Sequence, residues 1–174
     1  ALANGLQLSL NIEPAQDNYS FTYQLRVVNN GNKAMTTGAT FVMGMEQENI
    51  PTSFFAPRVD MQSGMCATTE AGDNIERKMG KDLENNTWTT PGTSLWAGID
   101  LQYFVVAALP AEGIGQSCQL STQDHTMLVH FNLGNTLLQP GQTWSKKFHF
   151  YAGPKIESNL VAVSPAFSNV INYN

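Results

Sequence analysis

Leu6-Gln-Leu-Ser-Leu-Asn-Ile12 and, one turn later, Tyr19-Ser-Phe-Thr-Tyr-Gln-Leu-Arg-Val27 decide the fold class. In both stretches every second residue is apolar and those between are polar. Successive side chains of a β-strand point to opposite faces, so this period puts one face on a core and the other in water. The first stretch therefore reads as a half-buried strand, and Glu13-Pro-Ala-Gln-Asp-Asn18 as its connecting turn. Asn29-Asn-Gly-Asn32 consists of residues that tolerate positive φ, which predicts a hairpin into a third strand from about Lys33 to Met45.

Outward from there the pattern lapses and then resumes. From Glu46 to about Thr93 it dissolves among prolines and glycines, with short strands expected near Ser53–Ala56 and Val59–Met61, and an exposed loop or short helix from Asp73 to Lys81. Order returns with strands at Leu95–Gly98 and Gln102–Leu109, the second nearly all apolar and so expected to be buried on both faces. Further strands are expected at Ser117–Thr122, Met127–Leu133 and Thr143–Tyr151, separated by turns at Gly113-Ile-Gly115, Gly134-Asn135 and Gln139-Pro-Gly-Gln142. One helix is expected, opening at Gly153-Pro154, where proline suits the first helical position, and closed by Pro165. Its apolar residues Ile156, Leu160, Val161 and Val163 recur at helical spacing. Nine or ten strands and one helix make an all-β sandwich rather than an α/β fold.

The 174 residues suit a single domain, 1–174. Only 13% are charged, about half the usual share, and the balance is made up by 16 Asn, 11 Gln, 11 Ser and 15 Thr. With 42% hydrophobic residues a core can form. A net charge of −5 with nine Lys and Arg argues against nucleic acid, whose binding needs clustered basic side chains. No stretch approaches the roughly 18 consecutive apolar residues of a membrane span, and Ala1–Ile12 lacks the form of a signal peptide.

Chemistry-bearing constellations are scarce. His125, His130 and His149 are scattered, and neither GxSxG, HExxH nor a glycine-rich phosphate loop occurs. No catalytic, cofactor-binding or metal-ligating residue is assigned, and no cofactor is expected. Among carboxylates, Glu46 and Glu48 would share a strand face as a solvated pair, Asp60 and Asp73 lie in the irregular stretch, and Asp100 is expected to make turn hydrogen bonds. Met35, Met43 and Met45 sit at strand alternation and should fill the core, whereas Met61, Met65 and Met79 are candidates for an exposed apolar patch. Asn18-Tyr-Ser20 and Asn85-Asn-Thr87 match the glycosylation sequon, which chance explains in a chain so rich in Asn and Thr. Cys66 and Cys118 either pair in an oxidising compartment or stand as two unrelated thiols.

Several segments in order carry a family resemblance. Trp96-Ala-Gly-Ile-Asp-Leu-Gln-Tyr103-Phe104, then Val-Val-Ala-Ala-Leu-Pro110, resembles the signature of the periplasmic domain of the YidC membrane-insertase family. Leu138-Gln-Pro140-Gly141-Gln142 and Phe150-Tyr-Ala-Gly153-Pro154-Lys155, followed by a short helix, match the end of that domain. Gly5-Leu-Gln-Leu8 and Tyr19-Ser-Phe21 through Val28-Asn-Asn-Gly31 resemble its paired strands. The family commonly places Asp two residues before the Tyr-Phe pair; here Leu101 stands there and Asp100 comes one earlier.

The resemblance implies a β-supersandwich of the galactose-mutarotase type in the periplasm of a Gram-negative bacterium, beginning after the family domain's first strands. It implies a non-catalytic scaffold or docking surface within an inner-membrane insertase and chaperone. The partners would be nascent inner-membrane proteins and the Sec translocon with its accessory subunits, with membrane contact through spans of the parent protein. The helix bearing Ile156, Leu160, Val161 and Val163 is the candidate docking element. The alternative is a carbohydrate-binding or aldose-mutarotase-like domain, for which the resemblance implies paired His with a Glu base in the sandwich cleft.

Overall fold

A computed structural model describes residues 5–16, 19–47, 62–68, 75–84, 86–111 and 117–171. The described chain forms β1 (Leu6–Pro14), β2 (Ser20–Asn29), β3 (Met35–Glu46), β4 (Ser63–Thr68), β5 (Ile75–Met79), β6 (Trp88–Thr89), β7 (Ser94–Asp100), β8 (Phe104–Pro110), β9 (Ser117–Gln123), β10 (Thr126–Leu138), β11 (Thr143–Pro154) and α1 (Glu157–Val163). A 3-10 turn spans Gly80–Asp82 and a 3-10 segment Pro165–Val170. Seven strands make one antiparallel sheet in the order β1-β2-β11-β8-β7-β4-β5, and four make the other in the order β3-β10-β9-β6. This is the all-β sandwich that the period-two pattern implies.

The large sheet is covered on both faces. Toward the small sheet it contributes Cys66, Ala97, Ile99, Ala108 and Phe148, which meet Met43, Cys118, Leu120, Met127, Val129 and Phe131. On its other face Met65, Ala67, Trp96, Val105, Ala107, Leu109 and Tyr151 pack against Leu160, Phe167 and Val170 of the C-terminal segment. The apolar run of β8 follows directly: Val106 and Ala108 face the small sheet, and Val105, Ala107 and Leu109 face the helical layer. Where the sheets approach β1 and β2, Tyr23 stacks on Phe148 with centroids 5.3 Å apart, and Phe41 of β3 meets Phe148 edge-on at 4.8 Å. Such aromatic pairs contribute about 0.5–1.5 kcal/mol each beyond the area they bury.

Cys66 of β4 and Cys118 of β9 are disulfide-bonded with Cα atoms 5.9 Å apart, joining the two sheets through the centre of the core. Both are fully buried. Met43 is buried, and Met35 and Met45 pack against the core.

Several local expectations are corrected. Asn29-Asn-Gly-Asn32 does not form a hairpin: β2 pairs with β1 and β11 while β3 pairs with β10, so this stretch carries the chain from one sheet to the other. Buried Asn29 holds the corner, donating from Nδ2 to the carbonyls of Lys33 (2.8 Å) and Leu138 (2.9 Å) and accepting from the Gly31 amide (3.0 Å). Gly134-Asn135 is not a turn but an irregularity inside β10, where the register to β3 shifts between Asn132 and Asn135 and Gly134 takes φ +86°. Within the stretch Asp73–Lys81, expected to be a loop or short helix, Ile75–Met79 is a strand that pairs with β4 as the edge of the large sheet, and only Gly80 and Lys81 belong to a 3-10 turn. Met65 is fully buried, not part of an exposed patch, because β4 has the core on both faces. β1 is less buried than its pattern implies: only Leu6 is buried, while Leu8, Leu10 and Ile12 are about half exposed on an edge strand. Ser53–Ala56, Val59–Met61, Gly113–Gly115, Glu48, Asp60, Asp73, Asn18 and Asn85 lie outside the described residues.

Candidate functional site

The candidate site is the C-terminal layer and the sheet ends that hold it. β11 runs on through Gly153 and Pro154, with Pro154 opposite Phe104 of β8. The helix therefore begins at Glu157 rather than at Pro154, with Ile156 as its N-cap. Pro154 follows the end of the β11–β2 pairing at Tyr151, and its nitrogen faces that side, so the missing N–H breaks no ladder bond. Gly153 is required there by a close approach: a Cβ on it would lie 2.8 Å from the ring of Tyr19. The Tyr151 hydroxyl donates to the Pro154 carbonyl (2.7 Å), and the Lys155 amide donates to the Tyr103 carbonyl (2.9 Å), fixing the direction in which the chain leaves the sheet.

Of the four helix residues expected to pack, Leu160 is fully buried and Val163 packs against the same cluster. Ile156 and Val161 are instead exposed, 49% and 40% respectively, because a helix this short buries one narrow stripe and Ile156 precedes its first turn. The next segment, Pro165–Val170, adds the buried Phe167 and Val170, three residues apart as the 3.0-residue turn of a 3-10 helix requires. Its start is signalled in the sequence by Ser164, whose Oγ accepts from the Ala166 amide (3.2 Å), and by Pro165 in the first turn. Phe167 meets the indole of Trp96 edge-on at 5.4 Å. Full burial of Leu160, Phe167 and Val170 stabilises by roughly 1.5–3 kcal/mol each, so packing supplies most of the adhesion of this layer.

A charged cluster lies on the same side of the sheet. Asp100, at the end of β7, does not make turn hydrogen bonds but forms an ion pair of 2.7 Å with Lys155 and one of 3.6 Å with Arg77. The Asp100 and Lys155 side chains are only 13% and 16% exposed. Arg77 of β5 also donates to the carbonyl of Val170 (3.1 Å). Beside this cluster Tyr103 and Phe104 are exposed, Tyr103 at 68%.

The remaining signature residues have structural places. Trp96 is fully buried beneath the helical layer, and Pro110 ends β8. Pro140 and Gly141 form the turn between β10 and β11, Gly141 at φ +80° and the Gln142 amide bonded to the Gln139 carbonyl (3.0 Å).

The histidines do not converge. His125 lies with Asp124 in the β9–β10 turn, both at positive φ. His130 alternates with the core residues Val129 and Phe131 and so faces outward from the small sheet. His149 alternates with Phe148 and lies on the opposite face of the large sheet, with two sheets between it and His130. Burial, and then the charge of Lys147, hold the His149 pKa below its ordinary value. Among the described residues no group of three His, Cys, Asp or Glu could hold a metal ion. Nor, among them, is any helix long and apolar enough to cross a membrane.

Comparison with known proteins gives this geometry its context. The sandwich is similar to a galactose mutarotase-like protein from Lactobacillus casei (TM-score 0.59, 9% identity, covering 84% of this chain and 63% of that one). It is also similar to the α-galactosidase from Lactobacillus brevis (TM-score 0.62, 9% identity, 95% of this chain and 23% of that one). At such identity the likeness is one of fold. In sequence the chain is similar to the membrane protein insertase YidC of Methylobacillus flagellatus, 24% identical over 98% of this chain and 30% of the relative. It is 29% identical to that of Alcanivorax borkumensis, over 87% of this chain and 28% of the relative. The chain thus spans less than a third of the length of these relatives. The family model described as the YidC periplasmic domain matches residues 1–174, and this chain accordingly belongs to the YidC periplasmic domain family, on the periplasmic side of a Gram-negative inner membrane.

Proposed function

We propose that this domain is a non-catalytic docking surface and scaffold of a membrane protein insertase, and that its C-terminal layer is the face that meets a partner. The observation that carries the reading is the division of labour within one short segment. Leu160, Phe167 and Val170 anchor it on the sheet, while Ile156 and Val161 present apolar side chains to the outside. Exposed apolar groups held on a rigid base are what a protein partner recognises. The partners this face would serve are nascent inner-membrane proteins and the Sec translocon with its accessory subunits. Relatives of the chain are membrane protein insertases, which supports the first of these. No cofactor or bond-making step enters the reading.

The experiment is complementation of insertase-depleted cells by the whole insertase carrying Ile156→Asp and Val161→Asp. Both positions are exposed, so the fold should persist. Loss of growth with normal accumulation of the variant supports docking through this face; growth equal to wild type overturns it.

A further inference from the structure

We infer that Asp100 is a positioning residue: one carboxylate that fixes both the start and the end of the C-terminal layer. Asp100 occupies the last position of β7 and shares the face of Trp96, on which the layer packs. One of its oxygens takes the ammonium of Lys155 at 2.7 Å, two residues before α1 begins. The other faces the guanidinium of Arg77 at 3.6 Å, and Arg77 in turn donates to the Val170 carbonyl at 3.1 Å, at the end of the 3-10 segment. The first contact sets where the chain leaves β11, and the second ties its far end to the edge strand β5.

Apolar packing and this cluster divide the task. Burial of Leu160, Phe167 and Val170 is non-directional and tolerates sliding or rotation of the short segment. The ion pairs instead act at one fixed point, because the carboxylate sits on a strand end that cannot follow the segment, and their attraction weakens as the segment slides away from it. At 13% exposure an Asp100 deprived of its cations would be a nearly buried, uncompensated charge, so displacement of the layer is opposed from both sides. The cluster also gives a role to the Lys that follows Gly153-Pro154. The orientation so fixed is that of Ile156 and Val161, so the consequence for insertion rests on the docking role proposed above; the clamp itself does not.

The test is amide hydrogen exchange on the 174-residue chain, read at the layer's own hydrogen bonds: Leu160 to Ile156, Ser164 to Leu160 and Phe167 to Ser164. With Asp100→Asn, exchange at all three amides should rise at least about tenfold while amides of β9 and β10 stay within about twofold. Lys155→Met should raise chiefly Leu160 and Ser164, and Arg77→Met chiefly Phe167. Lys155→Arg, which keeps the charge, should leave the rates near wild type. Unchanged exchange in the three disruptive variants, or an even rise across both sheets, overturns the inference. Should Asp100→Asn fail to fold, Lys155→Met and Arg77→Met decide by the same criterion, since each leaves one cation on the carboxylate. The whole insertase carrying Asp100→Asn is then assayed for growth. Loosened exchange with full growth upholds the clamp and overturns the docking role, so the two fail separately.

Discussion

Replacing both cysteines by alanine removes the disulfide that joins the two sheets, and its cost follows from chain length. Cys66 and Cys118 are separated by 52 positions. Closing a loop of that length in the unfolded chain removes entropy worth about 4 kcal/mol at 25 °C in the chain-entropy account. Both residues are fully buried in the inter-sheet core, so the loss of two sulfur atoms adds a packing cost of the same sign. Against a total stability of about 5–15 kcal/mol, the variant should be severely weakened or unfolded at 37 °C. The assay is guanidinium unfolding of the chain and of the Cys66→Ala/Cys118→Ala variant, followed by the fluorescence of buried Trp96. A loss below about 1 kcal/mol at unchanged slope would refute the reasoning, because neither loop closure nor core packing would then depend on the bridge. Thiol labelling of the denatured, unreduced chain gives an independent check, and no label should be taken up.

Two further outcomes follow from local geometry. Gly153→Ala sets a methyl 2.8 Å from the Tyr19 ring, and it should destabilise by about 1–3 kcal/mol in thermal melts, whereas Gly141→Ala is strained by its positive φ without any clash. His149 has its pKa lowered by burial and then by Lys147, so the unfolded chain binds the proton more readily. Stability is therefore full above about pH 6.5 and falls as the pH drops through that value; denaturation midpoints at pH 7.5 and 5.5 should converge in His149→Gln.

Alternation is legible in the sequence wherever a strand has one wet face. β2, β3 and β11 show it, and so does β10 apart from its glycine irregularity. The apolar run of β8 announces two buried faces, although what covers the second is the helical layer, whose Phe167 and Val170 follow a proline that looks like a stop. The stretch 46–93 hides its strands for physical reasons. β4 is short and buried on both faces, so Gly64, Met65 and Cys66 show no period. β5 is an edge whose Glu76-Arg77-Lys78 mimics a solvated loop, as charged edge strands do. β1 misleads in the other direction, because an apolar period does not guarantee a cover: the small sheet ends at β3, and three of its aliphatic side chains stay half exposed. Asp100, Lys155 and Arg77 could not be assembled from spacing, because each lies on a different strand or its end, and only the strand order β11-β8-β7-β4-β5 places them together.

In the proposed docking role Ile156 and Val161 face a partner. A photocrosslinking amino acid placed at Val161 of the whole insertase tests it in cells synthesising an inner-membrane protein. Leu137 is the control, being more accessible (57% against 40% for Val161) but turned outward from the small sheet on the opposite side of the sandwich. Crosslinks from Val161 to a nascent chain or a translocon subunit, and none from Leu137, are the predicted result. Equal crosslinking from both positions, or none from Val161, would contradict it.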